Sequence, residues 1–183
     1  MGTRARLLSA LQGQVMVRIV RSPKHADNID GFIVAVGKRW AVLQATREGG
    51  YFDGYSAFRL ADLKEVKPLD DFSHDFAQTL PTWPPRCPDG LELDSAESVI
   101  RSMGAQSDLV GIEQERRRSA IWIGQVDEVT SKWTWLLEVR PDASWQSAPL
   151  GYKNKRITLV SVDSMYQQAL AAIAGPSAQL PSG

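Results

Sequence analysis

The feature that most constrains this chain is that one stretch of it occurs twice. Shifted along itself by 93 positions, Gly31 falls on Gly124, Val36 on Val129, Trp40 on Trp133, Leu43 on Leu136 and Arg47 on Arg140, with no gap. Apolar character persists at further positions, with Ile33 on Val126, Val42 on Trp135 and Phe52 on Trp145. One inserted residue moves the offset to 94, after which Leu63 meets Ile157, Val66 meets Val160, Phe72 meets Tyr166 and Phe76 meets Leu170. Upstream, Leu7 meets Ile100, Met16 meets Leu109, Val17 meets Val110 and Ile19 meets Ile112. A shared tryptophan, a shared glycine and a shared apolar rhythm argue for internal duplication. The period is longer than that of solenoid and propeller repeats, so each copy is expected to be a small domain with its own core. The expected organisation is a first domain over residues 1–80, a spacer over 81–93, a second domain over 94–175 and a loose tail over 176–183.

Within each copy the pattern predicts a short helix and then five short strands. Leu7, Leu8 and Leu11 recur at helical spacing over residues 3–12. Residues 14–20, 29–36, 40–46, 55–60 and 63–66 are expected strands by their β-branched and aromatic content, broken by Pro, Gly, Asn and Asp. Gly31 lies inside the second of these, where a glycine marks a bulge or sharp bend. Phe72, Phe76 and Leu80 line one face of a following helix over 70–80. The second copy repeats the order with a helix opened by Asp94 or Ser95, with Glu97 near its third position, then strands over 108–117, 120–129, 133–139, 150–155 and 157–162. A final helix spans 164–174. Pro81, Pro84, Pro85 and Pro88 make the spacer non-regular, and Trp83 within it is expected to dock on a neighbouring domain.

Helix first, five short strands, and a glycine in a bent second strand together resemble the Sm-like small β-barrel of the Sm, Lsm and Hfq proteins. The SH3-like barrels have the same strand number and length. The resemblance covers residues 7–66 and 100–160 and implies a mainly β fold with short helices, as two tandem five-stranded small barrels. That family's RNA contacts lie in the connections between strands two and three and between strands four and five. Here these read Gly37-Lys38-Arg39 and Ala61-Asp62 in the first copy, and Thr130-Ser131-Lys132 and Asn154-Lys155-Arg156 in the second. They lack the family's RNA-contacting patterns, so the resemblance carries over a fold and no functional residue.

Composition narrows the function. Formal net charge is zero, so no whole-chain field attracts nucleic acid or membrane. The single cysteine, Cys87, can form no internal disulfide, and no apolar run reaches the length of a membrane span or signal-peptide core. A cytoplasmic protein with no cofactor or metal is expected. His25 and His74 sit in different elements without a nucleophile motif, and paired acids such as Asp70-Asp71 or Asp127-Glu128 are expected to be solvated or capping, so no enzyme is expected. The expected function is a non-catalytic binding or adaptor protein with a protein partner. Its candidate contacts are the aromatics Tyr51, Phe52, Tyr55 and Trp145 in the connections between strands three and four. The alternative is a nucleic-acid-binding protein using the basic residues Arg116, Arg117, Arg118, Lys153, Lys155 and Arg156, with Arg18, Arg21, Lys24 and His25 at the matching place in the first copy. Trp40 and Trp133, at the same point of both copies, are expected in a core or at a barrel rim.

Overall fold

The computed structural model describes residues 2–23, 26–115 and 120–177, and in it the apolar alternation of each half becomes five antiparallel strands. The first half runs through helix α1 (Thr3–Gly13), strands β1 (Met16–Arg21), β2 (Ile29–Val36), β3 (Trp40–Thr46), β4 (Phe52–Arg59) and β5 (Leu63–Pro68), and helix α2 (Phe72–Thr79). The second half follows with α3 (Ala96–Gly104), β6 (Val110–Gln114), β7 (Trp122–Val129), β8 (Trp133–Glu138), β9 (Leu150–Lys153), β10 (Ile157–Val162) and α4 (Met165–Ala174). One 3-10 turn joins β4 to β5 (Leu60–Asp62) and another joins β9 to β10 (Asn154–Arg156). Side-chain caps fix where three helices begin. Asp71 accepts from the Ser73 N–H, and Ser95 and Ser164 form capping boxes with Ser98 and Gln167. Glu97 instead pairs with Arg101 one turn on, its Oε1 3.3 Å from Arg101 Nε.

Strand pairing repeats between the halves residue by residue. Val17 faces Gly31 as Val110 faces Gly124, Trp40 faces Arg59 as Trp133 faces Lys153, and Ile19 faces Val66 as Ile112 faces Val160. The bulges repeat as well, between Ile33 and Ala35 and between Val126 and Glu128. Loop hydrogen bonds follow suit: the Ser22 N–H donates to the Asp62 carbonyl as the Glu115 N–H donates to that of Arg156. Gly31 and Gly124 have one physical reason. A Cβ there would lie 2.2 Å from the Gln44 carbonyl oxygen or 2.4 Å from that of Leu137, so only glycine lets β2 and β7 press against the next strand where they bend.

The ten strands among the described residues form one antiparallel sheet in the order β5-β1-β2-β3-β4-β10-β6-β7-β8-β9. This sheet does not close, and β5 and β9 are its free edges. The halves meet where Phe58, Ala57, Ser56 and Tyr55 of β4 face Leu159, Val160, Ser161 and Val162 of β10. β4 begins at Phe52, earlier than expected, because Phe52 already pairs with Thr46. β9 is shorter than expected and ends at Lys153, where the 3-10 turn takes over.

Each core is completed by the other half. Leu7, Val17, Ile19, Ile33, Leu43, Phe58 and Val66 pack with Leu159, which β10 supplies. Val99, Ile100, Met103, Val110, Ile112, Leu136 and Val160 pack with Trp40, Val42 and Ala57 from the first half. Of the apolar positions matched between the copies, Val36 and Val126 are half-buried, while Ile19, Ile33, Leu43, Ile112, Val129 and Leu136 are buried. The proline-rich spacer lies along the first half. Trp83 sets its ring edge-on against Phe32 at 5.3 Å, the Arg86 N–H donates to Gln44 Oε1, and the Leu93 carbonyl accepts from the Trp40 N–H. Among the described residues no helix is long and apolar enough to cross a membrane.

Because Leu159 is carried by one half and buried in the core of the other, Leu159→Ala should cost about 2–4 kcal/mol. Urea unfolding followed by hydrogen exchange should show β1–β3 and β6–β8 losing protection together. Loss confined to one half would contradict the shared core.

Candidate interaction surface

The aromatics expected as partner contacts in the two β3–β4-type connections are differently placed. Tyr51 closes the β3–β4 loop and is exposed, its ring 4.7 Å from that of Phe76 and 4.8 Å from the Arg47 guanidinium carbon. Phe52 and Tyr55 belong to β4 rather than to the loop. Phe52 packs against Phe32, centroids 5.8 Å apart. Tyr55 is half-buried against the core between the halves, and that burial, with smaller contributions from Cys87 and Asp163, pushes its phenol pKa up. Trp145 donates from Nε1 to the Ala174 carbonyl at 3.3 Å and packs on Val139, Leu109 and Leu170. Folding back in this way removes large aromatic areas from water while leaving the Trp145 donor satisfied.

The basic residues also divide. Arg116, Arg117 and Arg118, like Lys24 and His25, lie outside the described residues. Arg18 forms a two-pronged pair with Asp30, at 2.8 and 2.7 Å. Lys155 lines a groove of about 530 Å³ at the junction of the halves, with Lys38, Arg39 and Trp40. Lys153 and Arg156 line another, of about 370 Å³, beside the free edge of β9. His74 lies in neither groove; its ring packs against Phe32 at 5.8 Å.

This second groove sits beside the most exposed aromatic face of the sheet. Strand alternation puts Trp133 and Trp135 on the same side of β8, opposite Lys153 and Gly151 of β9. The rings stack at 6.2 Å with 28° between their planes, and Lys153 Nζ lies 5.2 Å from the Trp133 centroid. Gly151 makes room for this, since a Cβ there would come within 2.9 Å of the Trp135 ring. Both indoles are 37% exposed, whereas Trp40 and Val42, their counterparts in the first half, are 2% and 0% exposed. In the first half the spacer, α3 and β10 cover this face; in the second the indoles are covered only in part, by each other, Lys153 and Gly151. Leu150, 46% exposed, with Trp122, Tyr152 and Gln114, completes the groove.

Electrostatics differ between the two corners in the same way. Arg59 donates from Nε and Nη2 to the Asp62 carboxylate at 2.7 and 2.9 Å and also pairs with Glu115. The Asp62 hydrogen bonds, aided by Glu115, raise the Arg59 pKa against the opposing effect of burial. Next to it the Arg21 side chain is fully buried, with Nη2 donating to the Asp27 carbonyl and Nη1 2.8 Å from Glu113 Oε2, an ion pair by distance without hydrogen-bond alignment. In the second half, Lys153 stands where Arg59 does, Arg156 where Asp62 does and Gln114 where Arg21 does. Among the described residues no carboxylate pairs with Lys153 or Arg156. One corner is neutralised and its counterpart is positive.

Comparison with protein-family models, with curated proteins and with solved structures gives no match to this chain. Sequence reasoning placed Trp133 in a core or rim with Trp40 and did not single out Trp135. The signal that could have found the pair is Trp-x-Trp on one strand, with a glycine at the position that faces the second indole.

The contrast in exposure is measurable. Trp40→Ala should cost about 3–5 kcal/mol in urea unfolding, whereas Trp133→Ala and Trp135→Ala should each cost about 1 kcal/mol or less. Equal losses at all three positions would mean that the face of β8 is buried.

Proposed function

We propose that the chain is a non-catalytic adaptor built from two copies of one small-barrel unit of Sm-like or SH3-like type, over residues 1–80 and 94–175, and that its partner is a protein met in the cytoplasm. The repeated register and repeated bulges support the duplicated unit. The observation that carries the partner reading is the Trp133–Trp135 stack beside β9, the outermost strand of the sheet among the described residues. Exposed, rigid aromatics next to a free strand edge are the residues and the backbone that protein interfaces use as anchors. Of the aromatics singled out from the sequence, Tyr51 has ring surface to offer a second contact; Phe52, Tyr55 and Trp145 serve packing. A second reading is single-stranded nucleic acid, favoured by the lysine lying over the Trp133 ring, a pairing of stacking surface and cation that such binders use. Net charge of zero weighs against it, because backbone binding rests on several uncompensated cations.

Two measurements separate the readings. Selection of a random peptide library on the full chain should enrich peptides whose affinity drops about tenfold or more for the Trp133→Ala, Trp135→Ala double variant, as loss of two aromatic anchors implies. A short fluorescent oligouridylate should bind no better than roughly 10⁻⁴ M near physiological salt. A sub-micromolar, salt-sensitive oligonucleotide complex that needs Lys153 and Arg156 would reverse the assignment.

A further inference from the structure

Resting on the reading of the chain as a protein-binding module, a more specific inference comes from the junction between the halves, which serves as a template. β4 is the first-half counterpart of β9, and β4 already holds an added strand, β10. That strand brings two things. Leu159 faces Phe58 and enters the first-half core, and Glu115, beside the strand, reaches Arg59. At the free edge the counterpart of Phe58 is Tyr152 and that of Arg59 is Lys153, with Arg156 adding a second cation in place of Asp62. We propose that the edge of β9 takes an extended segment of a partner protein as an additional antiparallel strand, setting an apolar side chain against Tyr152 and Trp122 and carboxylates against Lys153 and Arg156.

Charge selects this occupant over a second copy of the chain. The strand of a second copy that corresponds to β10 is β5. Its counterpart of Leu159 is Glu65, already 3.3 Å from its own Lys67, and Lys64 and Lys67 would add cations to a positive rim. The counterparts of Glu113 and Glu115 are Val20 and Ser22, so the carboxylates at the internal junction have no equivalent there. β10, by contrast, has no charged residue along its whole length. Main-chain pairing along β9 would supply affinity, and alternate side chains would supply selection, as in other strand-addition complexes. β9 is four residues long, so a short peptide can cover it.

The test uses the full chain and two synthetic peptides of alternating sequence, one with glutamate between valine and leucine residues, the other with lysine in place of glutamate. Titration calorimetry should show the acidic peptide binding at least tenfold more tightly, and hydrogen exchange should show its addition protecting the amides of residues 150–153. Lys153→Glu with Arg156→Glu, both at exposed positions, should invert the preference between the peptides. No binding of the acidic peptide, equal binding of both, or binding without protection of β9 overturns the proposal. If selected peptides nevertheless depend on Trp133 and Trp135, the adaptor reading stands without it. A concentration-dependent dimer that protects β9 with no peptide present makes the occupant a second copy and also overturns it. Preferential binding of oligouridylate at the same face overturns both readings.

Discussion

The ladder between β4 and β10 is the interaction on which the rest of the structure depends. It joins two five-strand pieces into one sheet, and each piece leaves part of its core to be filled across that line. Leu159 enters the first core; Trp40, Val42 and Ala57 enter the second. The junction is also held by charge. Arg21, with its side chain wholly removed from solvent, stands against Glu113, which is 14% exposed. Desolvation offsets much of the attraction within such a pair, whereas a slip along β10 would leave a buried guanidinium without its carboxylate, so the pair contributes less to stability than to register. Apolar burial supplies the adhesion, and the arginines fix where it acts.

Much of the pairing was legible in the sequence, because register is dictated by local constraints that recur. Gly31 and Gly124 match because the backbone of the next strand comes too close for any Cβ, and the bulges two residues later follow the same bend. The helix start at Asp94 or Ser95 was legible as well, from capping residues before an apolar run. Less legible was everything set by contacts distant in sequence. The joining of β4 to β10 links residues about a hundred positions apart, and nothing in either strand alone names its neighbour. Tyr55 and Trp145 read as loop residues because their partners, the inter-half core and the end of α4, lie outside the local window.

The interaction surface was illegible for a related reason. Trp40 and Trp133 occupy the same place in the same pattern, and identity at equivalent positions suggests equal environments. Their exposures differ because burial depends on what lies over a face, not on the face itself. The spacer covers Trp40, through Leu93 and the backbone bond it accepts, whereas Trp133 has only Lys153 and Trp135 against it. Replacing Asp62 by Arg156 at the corresponding turn gives the uncovered corner a different charge as well. The proposed site is therefore where the two halves stop being alike. Departures from an otherwise consistent pattern are where function is to be sought.

The two ends of the sheet are chemically unlike. At one end β5 shows Lys64, Glu65 and Lys67 to solvent and finishes at Pro68, which lacks an N–H to offer. Charged side chains and proline are the means by which natural sheets stop further strands from adding. At the other end β9 has Gly151 and Leu150 beside two indoles, and its one charged residue is Lys153, which lies over the Trp133 ring. The described sheet is thus polar in the sense that a connector is polar, its two edges differing in charge and in aromatic cover. Were a strand to dock at β9 as proposed, the charges and Pro68 of β5 would oppose a further chain adding at the opposite edge, so recognition would stop at one segment per chain rather than grow into a fibre.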